Sequence, residues 1–419
     1  MIAAVVFAWG AFSAKLERAD LTAPMAFVGI GMLLADGLPA GAGAAGVTML
    51  TEATLAWVLF SDASRVGLRE LRGDAGVYGR LLGLALPLTV VAGAAGAWLL
   101  LDAPLPWYAL LIGAALAPTD AALGAVVITH PAVPARIRRI LNVESGLNDG
   151  IVTPVVLVAL AGAASAPGHA GANALTAVLQ LAGGALIGGA VGATGGWLLR
   201  AAGRRGWTDD SFAGPAVLAL ALVAYAASVA GHGNGFVAAF AGGIAFGHVA
   251  GRGGPREVFY VEETAGLASL LVWLLFGAFA VPLLYGRVDL ALLLYAVLSL
   301  TAVRMVPVAL SLIGARLGGR TVAFVGWFGP RGLASVVFAL LAVEELGGSA
   351  APAVAAIVLT VLLSVVAHGV SAGPGATRYG AHSRAPDAPA SGEPAAAARL
   401  RRSSGGRGPD AAVDGGDTP

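Results

Sequence analysis

The sequence has no cysteine among its 419 residues, and Lys15 is its only lysine. The lack of thiols excludes disulfides, thiolate metal ligands and thiol catalysis. No glycine-rich loop ends in a lysine, which excludes a Walker-type nucleotide site. Charged residues make up only 12% of the chain, against 58% hydrophobic residues. A water-soluble fold cannot solvate so apolar a surface, so the composition indicates a membrane protein.

Thirteen apolar segments follow one another, separated by charged residues, Gly and Pro. They cover residues 1–14, 22–36, 52–67, 78–101, 107–129, 140–165, 173–200, 212–231, 235–250, 260–285, 288–315, 321–345 and 351–371. Because an open strand cannot satisfy its backbone polar groups in lipid, the segments are predicted to be helices. The first has no basic residues before it, so we predict a retained span rather than a signal peptide. The predicted fold class is an all-α polytopic membrane protein with about 13 transmembrane helices.

Basic residues are divided unevenly between the loops. Sixteen Lys and Arg residues lie in alternate loops, whereas Arg287 alone lies in the opposite set. Cytoplasmic loops carry such an excess, so the N-terminus is predicted outside and the C-terminus in the cytoplasm. From Ala372 the composition changes to Gly, Pro, Ala, Ser and charge. The predicted organisation is therefore a transmembrane domain at 1–371 and a disordered cytoplasmic tail at 372–419.

Two spans contain helix-breaking residues. The fifth has Pro118 before Thr119 and Asp120, and the twelfth contains Gly329–Gly332 with Pro330 and Arg331 inside it. Proline removes a backbone hydrogen bond, and freed backbone groups at membrane depth are typical of an ion site, although a simple proline kink is the alternative. If helices 1–6 and 8–13 are two six-helix repeats, the breaks correspond and run in opposite directions, as an inverted repeat requires.

The sixth span carries two acids that face different ways. On an ideal helix Ser145 and Asp149 lie about 40° apart, whereas Glu144 and Asp149 diverge by about 140°. Asp149 can therefore share a cavity with Ser145, while Glu144 is either a helix-capping acid or the partner of another group. Arg331 keeps its proton and needs an anion, and Glu144 is its predicted partner.

Several of these segments resemble the signatures of NhaP-like sodium/proton exchangers, in the monovalent cation:proton antiporter family. The similar segments are Ala117–Asp120, Glu144–Gly150, Gly329–Gly332, Phe60–Asp62 and Gly235–Phe240. The resemblance covers roughly Leu21 to His368 and implies a six-helix core domain beside a dimerisation domain, with broken helices 5 and 12 crossing in the core. A homodimer in a prokaryotic plasma membrane is also implied.

The resemblance implies a role for each site residue. Asp149 is the ion- and proton-binding carboxylate, and Ser145 and Thr119 supply further oxygen ligands for Na⁺. Asp62 matches an acidic position near the site. The residues expected to stabilise the core are Asn148 and Asp120, which hold the crossed helices, and the Glu144–Arg331 ion pair.

The function expected from these residues is antiport of Na⁺, or of Li⁺ or K⁺, against H⁺. Both ions compete for one buried carboxylate, and a single Asp in the Asn148–Asp149 pair favours electroneutral exchange. The lipid bilayer and the two ions are the expected partners, with no cofactor and no nucleic acid. A transporter of another solute on the same scaffold is the main alternative. An intramembrane hydrolase with paired aspartates is disfavoured, because no Gly-x-Gly-Asp, His-Glu-x-x-His or Gly-x-Ser-x-Gly motif is present.

Overall fold

The structure is a computed structural model that describes residues 2–17, 21–35, 44–65, 73–101, 106–164, 170–250 and 255–383. Its regular elements are all helical in these ranges, as the sequence predicted. They are α1 Ile2–Glu17, α2 Ala23–Leu34, α3 Ala44–Arg65, α4 Ala75–Leu100, α5 Pro106–Ala115, α6 Ala125–Thr129, α7 Ala135–Ala164, α8 Ala170–Arg204, α9 Asp210–Ala230, α10 Gly235–Val249, α11 Pro255–Leu275, α12 Leu290–Leu300, α13 Ala302–Ser311, α14 Gly319–Trp327, α15 Leu333–Leu346 and α16 Ala351–Ser383. A π-helical turn and a 3₁₀ turn extend α11 to Leu284.

The helices fit a polytopic membrane protein. Within the described ranges, seven helical segments are long and apolar enough to cross a membrane, and four shorter apolar helices accompany them. Each of the thirteen predicted segments overlaps helical structure. The number of helices that cross the membrane and the inverted repeat stay predictions.

The helices pack in two groups. We call α1–α3 and α8–α11 the scaffold helices, because α8 packs on α10, and α3 packs on both α10 and α11. We call α4–α7 and α12–α16 the core helices, because α4 and α7 pack on α5, and α12 and α15 pack on α16. The two groups meet where α7 and α15 contact α3, and this seam positions the site described below.

Glycines allow α8 and α10 to approach closely. A Cβ at Gly188 would overlap the backbone of Ala238, and one at Gly192 would overlap the backbone of Gly242. Small residues spaced four apart commonly allow helices to pack closely in lipid, where no hydrophobic driving force brings helices together. The scaffold helices are thus held by backbone contact.

The last helix is longer than predicted. The sequence placed the start of a disordered tail at Ala372, but α16 continues to Ser383. The ring of Tyr379 stacks on Phe324 with centroids 4.1 Å apart, and its hydroxyl lies 2.9 Å from that of Thr321. The predicted boundary is therefore wrong, because tertiary contacts hold a segment whose composition is typical of disorder. The rest of the predicted tail, 384–419, lies outside the described residues.

Candidate functional site

The two interrupted spans cross each other. One helix stops at Ala115 and resumes at Ala125, and the other stops at Trp327 and resumes at Leu333. The freed backbone groups find partners across the crossing, where the Asp120 N–H donates to the Pro330 carbonyl at 2.8 Å. The predicted breaks are therefore confirmed, and they satisfy each other's backbone, as buried polar groups require.

Asp120 joins the two breaks through its side chain. Its carboxylate accepts the backbone N–H groups of Ala122 at 2.7 Å and Leu123 at 3.1 Å, and also the N–H of Leu333 at 2.8 Å. It thus caps the N-terminal side of the second half of both broken spans, where backbone N–H groups lack helical partners and a negative charge is favourable. The core-stabilising role expected of Asp120 stays a prediction.

Position 332 lies so close to the side chain of Asp120 that only glycine fits there. A Cβ at Gly332 would overlap the Asp120 carboxylate and its Cβ. We expect Gly332→Ala to destabilise the protein by about 1–3 kcal/mol, the usual cost of inserting a methyl group into a packed core. The melting temperature in detergent measures this, with Gly189→Ala as control, since a Cβ at Gly189 meets no atom within 4 Å. Equal melting temperatures for the two variants would contradict the expected overlap.

Arg331 does not pair with Glu144, so that prediction is wrong. Its guanidinium donates to the Ala117 carbonyl at 2.9 Å, to the Pro118 carbonyl at 3.3 Å and to the Ser299 carbonyl at 3.3 Å. The first two carbonyls are left without helical donors by the break after α5. The C-terminal end of a half-helix is negative, so it can hold a cation without a carboxylate.

Glu144 instead pairs with Arg304. The Arg304 Nη2 lies 2.5 Å from the Glu144 Oε1, and their side chains are 1% and 2% exposed. Arg304 lies in α13, in the middle of the predicted eleventh span, and sequence reasoning missed it. An arginine inside an apolar span was the available signal, because such a residue needs a buried partner.

A second group missed from the sequence lies on α16. The buried His368 has its Nε2 2.9 Å from the Trp327 carbonyl and its Nδ1 3.1 Å from the Ser364 hydroxyl. The Ser364 hydroxyl accepts the backbone N–H of Arg331 at 2.7 Å. Both sides of the second break are thereby fixed to α16. A serine and a histidine four apart in an apolar helix were the signal.

The predicted ion-binding residues lie together beside this crossing. The Thr119 hydroxyl lies 3.0 Å from the Ser145 hydroxyl and accepts the Asn148 side-chain N–H at 2.7 Å. Either hydroxyl can be the donor in the contact between Thr119 and Ser145. Asp149 follows Asn148 on α7 and is 8% exposed. The break thus positions Thr119, and Thr119 contacts the hydroxyl of Ser145, which lies one helical turn before Asp149 on α7.

A cavity of about 570 Å³ reaches this cluster between the core and scaffold helices. Asp149, Ser145, Asp120 and Asp62 line it, whereas Thr119 does not and lies behind Ser145. Asp62 enters from α3, opposite Gly146, where a Cβ would come within 3.6 Å of the Asp62 Cβ. In the described part of the chain, no hydrogen bond or ion pair reaches the carboxylate of Asp149 or of Asp62.

The cavity is also lined by two arginines, and each of them is paired with an acid. Arg65 pairs with Glu262 of α11, and both line the cavity. Arg139 also lines the cavity and lies 3.5 Å from the carboxylate of Asp74. The same carboxylate makes two shorter contacts with Arg136, at 2.7 and 2.9 Å. The Arg136 hydrogen bond lowers the pKa of the Asp74 carboxyl from its ordinary value, so Asp74 stays ionised.

Comparison with known proteins identifies the family. Residues 1–377 match the model of the transmembrane sodium/hydrogen exchanger family. The chain belongs to this family, and its class is that of a multi-pass membrane transporter.

Individual relatives agree with this class. The K(+)/H(+) antiporter NhaP of Alkalimonas amylolytica is 28% identical over 346 residues, which are 78% of this chain and 57% of that protein. The K(+)/H(+) antiporter NhaP2 of Shewanella oneidensis is 26% identical over 256 residues, 60% of this chain and 43% of that protein. This chain thus spans about half the length of these relatives. The sodium proton antiporter MjNhaP1 of Methanocaldococcus jannaschii has the same fold, with a TM-score of 0.72, 19% identity, and 90% and 97% of the two chains covered.

Proposed function

We propose that this protein exchanges a monovalent cation for a proton across the membrane. The observation that carries the proposal is a contrast between the acids near the crossing. Glu144 and Asp120 have ionic or hydrogen-bonding partners, as structural acids do. Asp149 and Asp62 face the cavity with none in the described residues. Unpartnered acids at membrane depth are expensive to keep, and ion transport explains them.

The chemistry follows from the burial of Asp149. A carboxylate shielded from water requires a compensating charge, and either a proton or a bound cation supplies it. Hard cations prefer oxygen ligands, which the Asp149 carboxylate and the Ser145 hydroxyl provide. We keep Thr119 in the proposed ligand set, because its hydroxyl is 3.0 Å from that of Ser145. Asp62 adds a second carboxylate in the same cavity. Competition for Asp149, combined with alternating access, gives exchange.

Na⁺ and K⁺ are the candidate cations, because the relatives above comprise K⁺/H⁺ antiporters and a sodium proton antiporter. The test uses purified protein in proteoliposomes with an acidic interior and a pH-sensitive dye. NaCl, KCl, LiCl and choline chloride are added in turn. The interior should become alkaline with at least one alkali cation and not with choline. No response to any of the three alkali cations, in vesicles that respond to nigericin, would refute the proposal.

Exchange is proposed to be electroneutral, because the Asn148–Asp149 pair offers one acid where two adjacent acids would allow two protons. We expect the transport rate to stay within about twofold when valinomycin and K⁺ gradients set the potential between 0 and −100 mV, with Na⁺ as the exchanged cation. If each transport cycle moved one net charge, a potential of 100 mV would change its driving force by about 2.3 kcal/mol. A steep voltage dependence would show that a further proton, for example on Asp62, is transported.

We further propose a homodimer with the N-terminus outside and the C-terminus in the cytoplasm. The biased distribution of basic residues supports this orientation. The cavity entrance beside Arg65 and Arg139 then faces the cytoplasm. A transporter of another solute on the same scaffold is the remaining alternative, and a lack of response to all three alkali cations would favour it.

A further inference from the structure

Arg65 lies close to a proposed ion-binding carboxylate on the same helix. It follows Asp62 by three residues in α3, so the two side chains start about 60° apart and about 4.5 Å along the axis. Pairs at this spacing meet on a helix surface. Both residues line the cavity, and the charge of Arg65 acts on Asp62. A tethered guanidinium is thus available to a site that must receive a free cation.

A carboxylate from another helix holds Arg65 away from Asp62. Arg65 forms its ion pair with Glu262 of α11, and its side chain is 46% exposed. No hydrogen bond or ion pair joins Arg65 to Asp62 in the described residues. An exposed pair of this kind is weak, so Glu262 does not fix Arg65 in one position. Glu262 and Asp62 therefore compete for one guanidinium.

We propose that Arg65 is a built-in competitor of the transported cation, and that Glu262 is the positioning residue that keeps Arg65 off Asp62. The inference rests on the proposed function, since it assigns a determinant of cation affinity to the same cavity. When Arg65 turns to Asp62, it neutralises the carboxylate and occupies the approach to Asp149. When it pairs with Glu262, the site is open to the cation.

The second arginine of the cavity makes a useful comparison. Arg139 belongs to α7, and its acid partner Asp74 is fixed by a close contact to Arg136 at 2.7 Å. The pair that Arg139 forms with Asp74 spans 3.5 Å, and Arg139 lies on a different helix from Asp62. The competition is therefore assigned to Arg65, which shares a helix with its target.

The first test compares Glu262→Gln with Glu263→Gln. Glu263 carries the same charge one position further along α11 but does not line the cavity. Glu262→Gln should raise the half-saturating cation concentration about fivefold with little change in maximal rate, a factor equal to about 1 kcal/mol at 25 °C. Glu263→Gln should match the unsubstituted protein. Equal half-saturation in both variants would overturn the inference.

The second test repeats Glu262→Gln in an Arg65→Gln background. If Glu262 acts only by holding Arg65, its substitution should have no further effect there, and Arg65→Gln alone should have a half-saturating concentration equal to or lower than that of the unsubstituted protein. A fivefold rise that persists without Arg65 would mean that Glu262 attracts cations directly, and the inference would be wrong. If Arg65→Gln alone raised the half-saturating cation concentration, the Arg65–Glu262 pair would have only a structural role, and the inference would be wrong. The unsubstituted protein serves as reference: if it shows no exchange, the proposed function fails, independently of this inference.

Discussion

Asp149→Asn is expected to reduce cation-dependent proton movement to the rate of empty liposomes. The substitution nearly conserves size but removes the only group in the Asn148–Asp149 pair that binds a proton or balances a cation. The measurement is dye-reported proton movement in proteoliposomes, with matched protein content and cation concentrations up to saturation. Because the whole exchange depends on competition for this carboxylate, loss of maximal rate is expected, and not a mere loss of affinity.

A matched control separates this effect from misfolding. Asp209 accepts the Ser211 backbone N–H at the start of α9, away from the cavity. Asparagine caps a helix as well as aspartate does, so Asp209→Asn should transport normally. Asp149→Asn should insert, purify and melt like the unsubstituted protein, since no described partner depends on its carboxylate. Substantial exchange by Asp149→Asn would overturn the proposed mechanism.

The sequence was sufficient to predict the elements that build the site. Pro118 and the Gly329–Gly332 segment predict breaks, because proline and glycine act through local backbone chemistry. The helical repeat likewise places Ser145 and Asp149 on one face, and both line the cavity. These features depend on residues near one another in the chain, so periodicity and backbone chemistry are enough.

Partner choice across the fold could not be predicted in the same way. Arg331 was expected to need a carboxylate, but the break supplies carbonyls 2.9 and 3.3 Å away. Glu144 was then free to pair with Arg304, 160 positions further along the chain. Thr119 was placed among the ligands by resemblance, yet it reaches the cavity only through Ser145. Such choices depend on which groups the packed helices bring together.

The end of α16 shows the same limit. Its last residues are rich in Gly and Ala, and composition alone predicts disorder there. In the structure, Gly375 lies against the Phe328 ring and Gly380 against Ala132, so their small size permits contact with the core. Glycine in this segment serves close packing rather than chain flexibility. The sequence alone cannot distinguish these two roles of glycine, because the answer depends on which residues pack against the segment.

Removing one member of the Glu144–Arg304 pair is expected to have the largest effect on stability. Glu144→Gln leaves a guanidinium that is 1% exposed without its counter-charge. The Nε and Nη1 of Arg304 have no hydrogen-bond partner in the described residues, so Glu144 is its main compensation. Breaking a buried pair in this way costs about 3–5 kcal/mol. The melting temperature of Glu144→Gln in detergent should therefore fall well below that of Asp149→Asn.

A double substitution identifies the partner. Arg304→Met keeps much of the side-chain volume and removes the charge, so Glu144→Gln with Arg304→Met should recover most of the lost melting temperature, because neither charge then remains unpaired. Glu144→Gln with Arg331→Met should melt lower still, since Arg331 is compensated by the carbonyls of the first break and its loss leaves them without a donor. If rescue came from Arg331→Met instead, Arg331 would be the functional counter-charge of Glu144. Simple addition of the two destabilisations in the Arg304 cycle would show that the 2.5 Å contact contributes no coupling energy. The two cycles together thus distinguish a carboxylate-paired arginine from one held by the freed carbonyls of a broken helix.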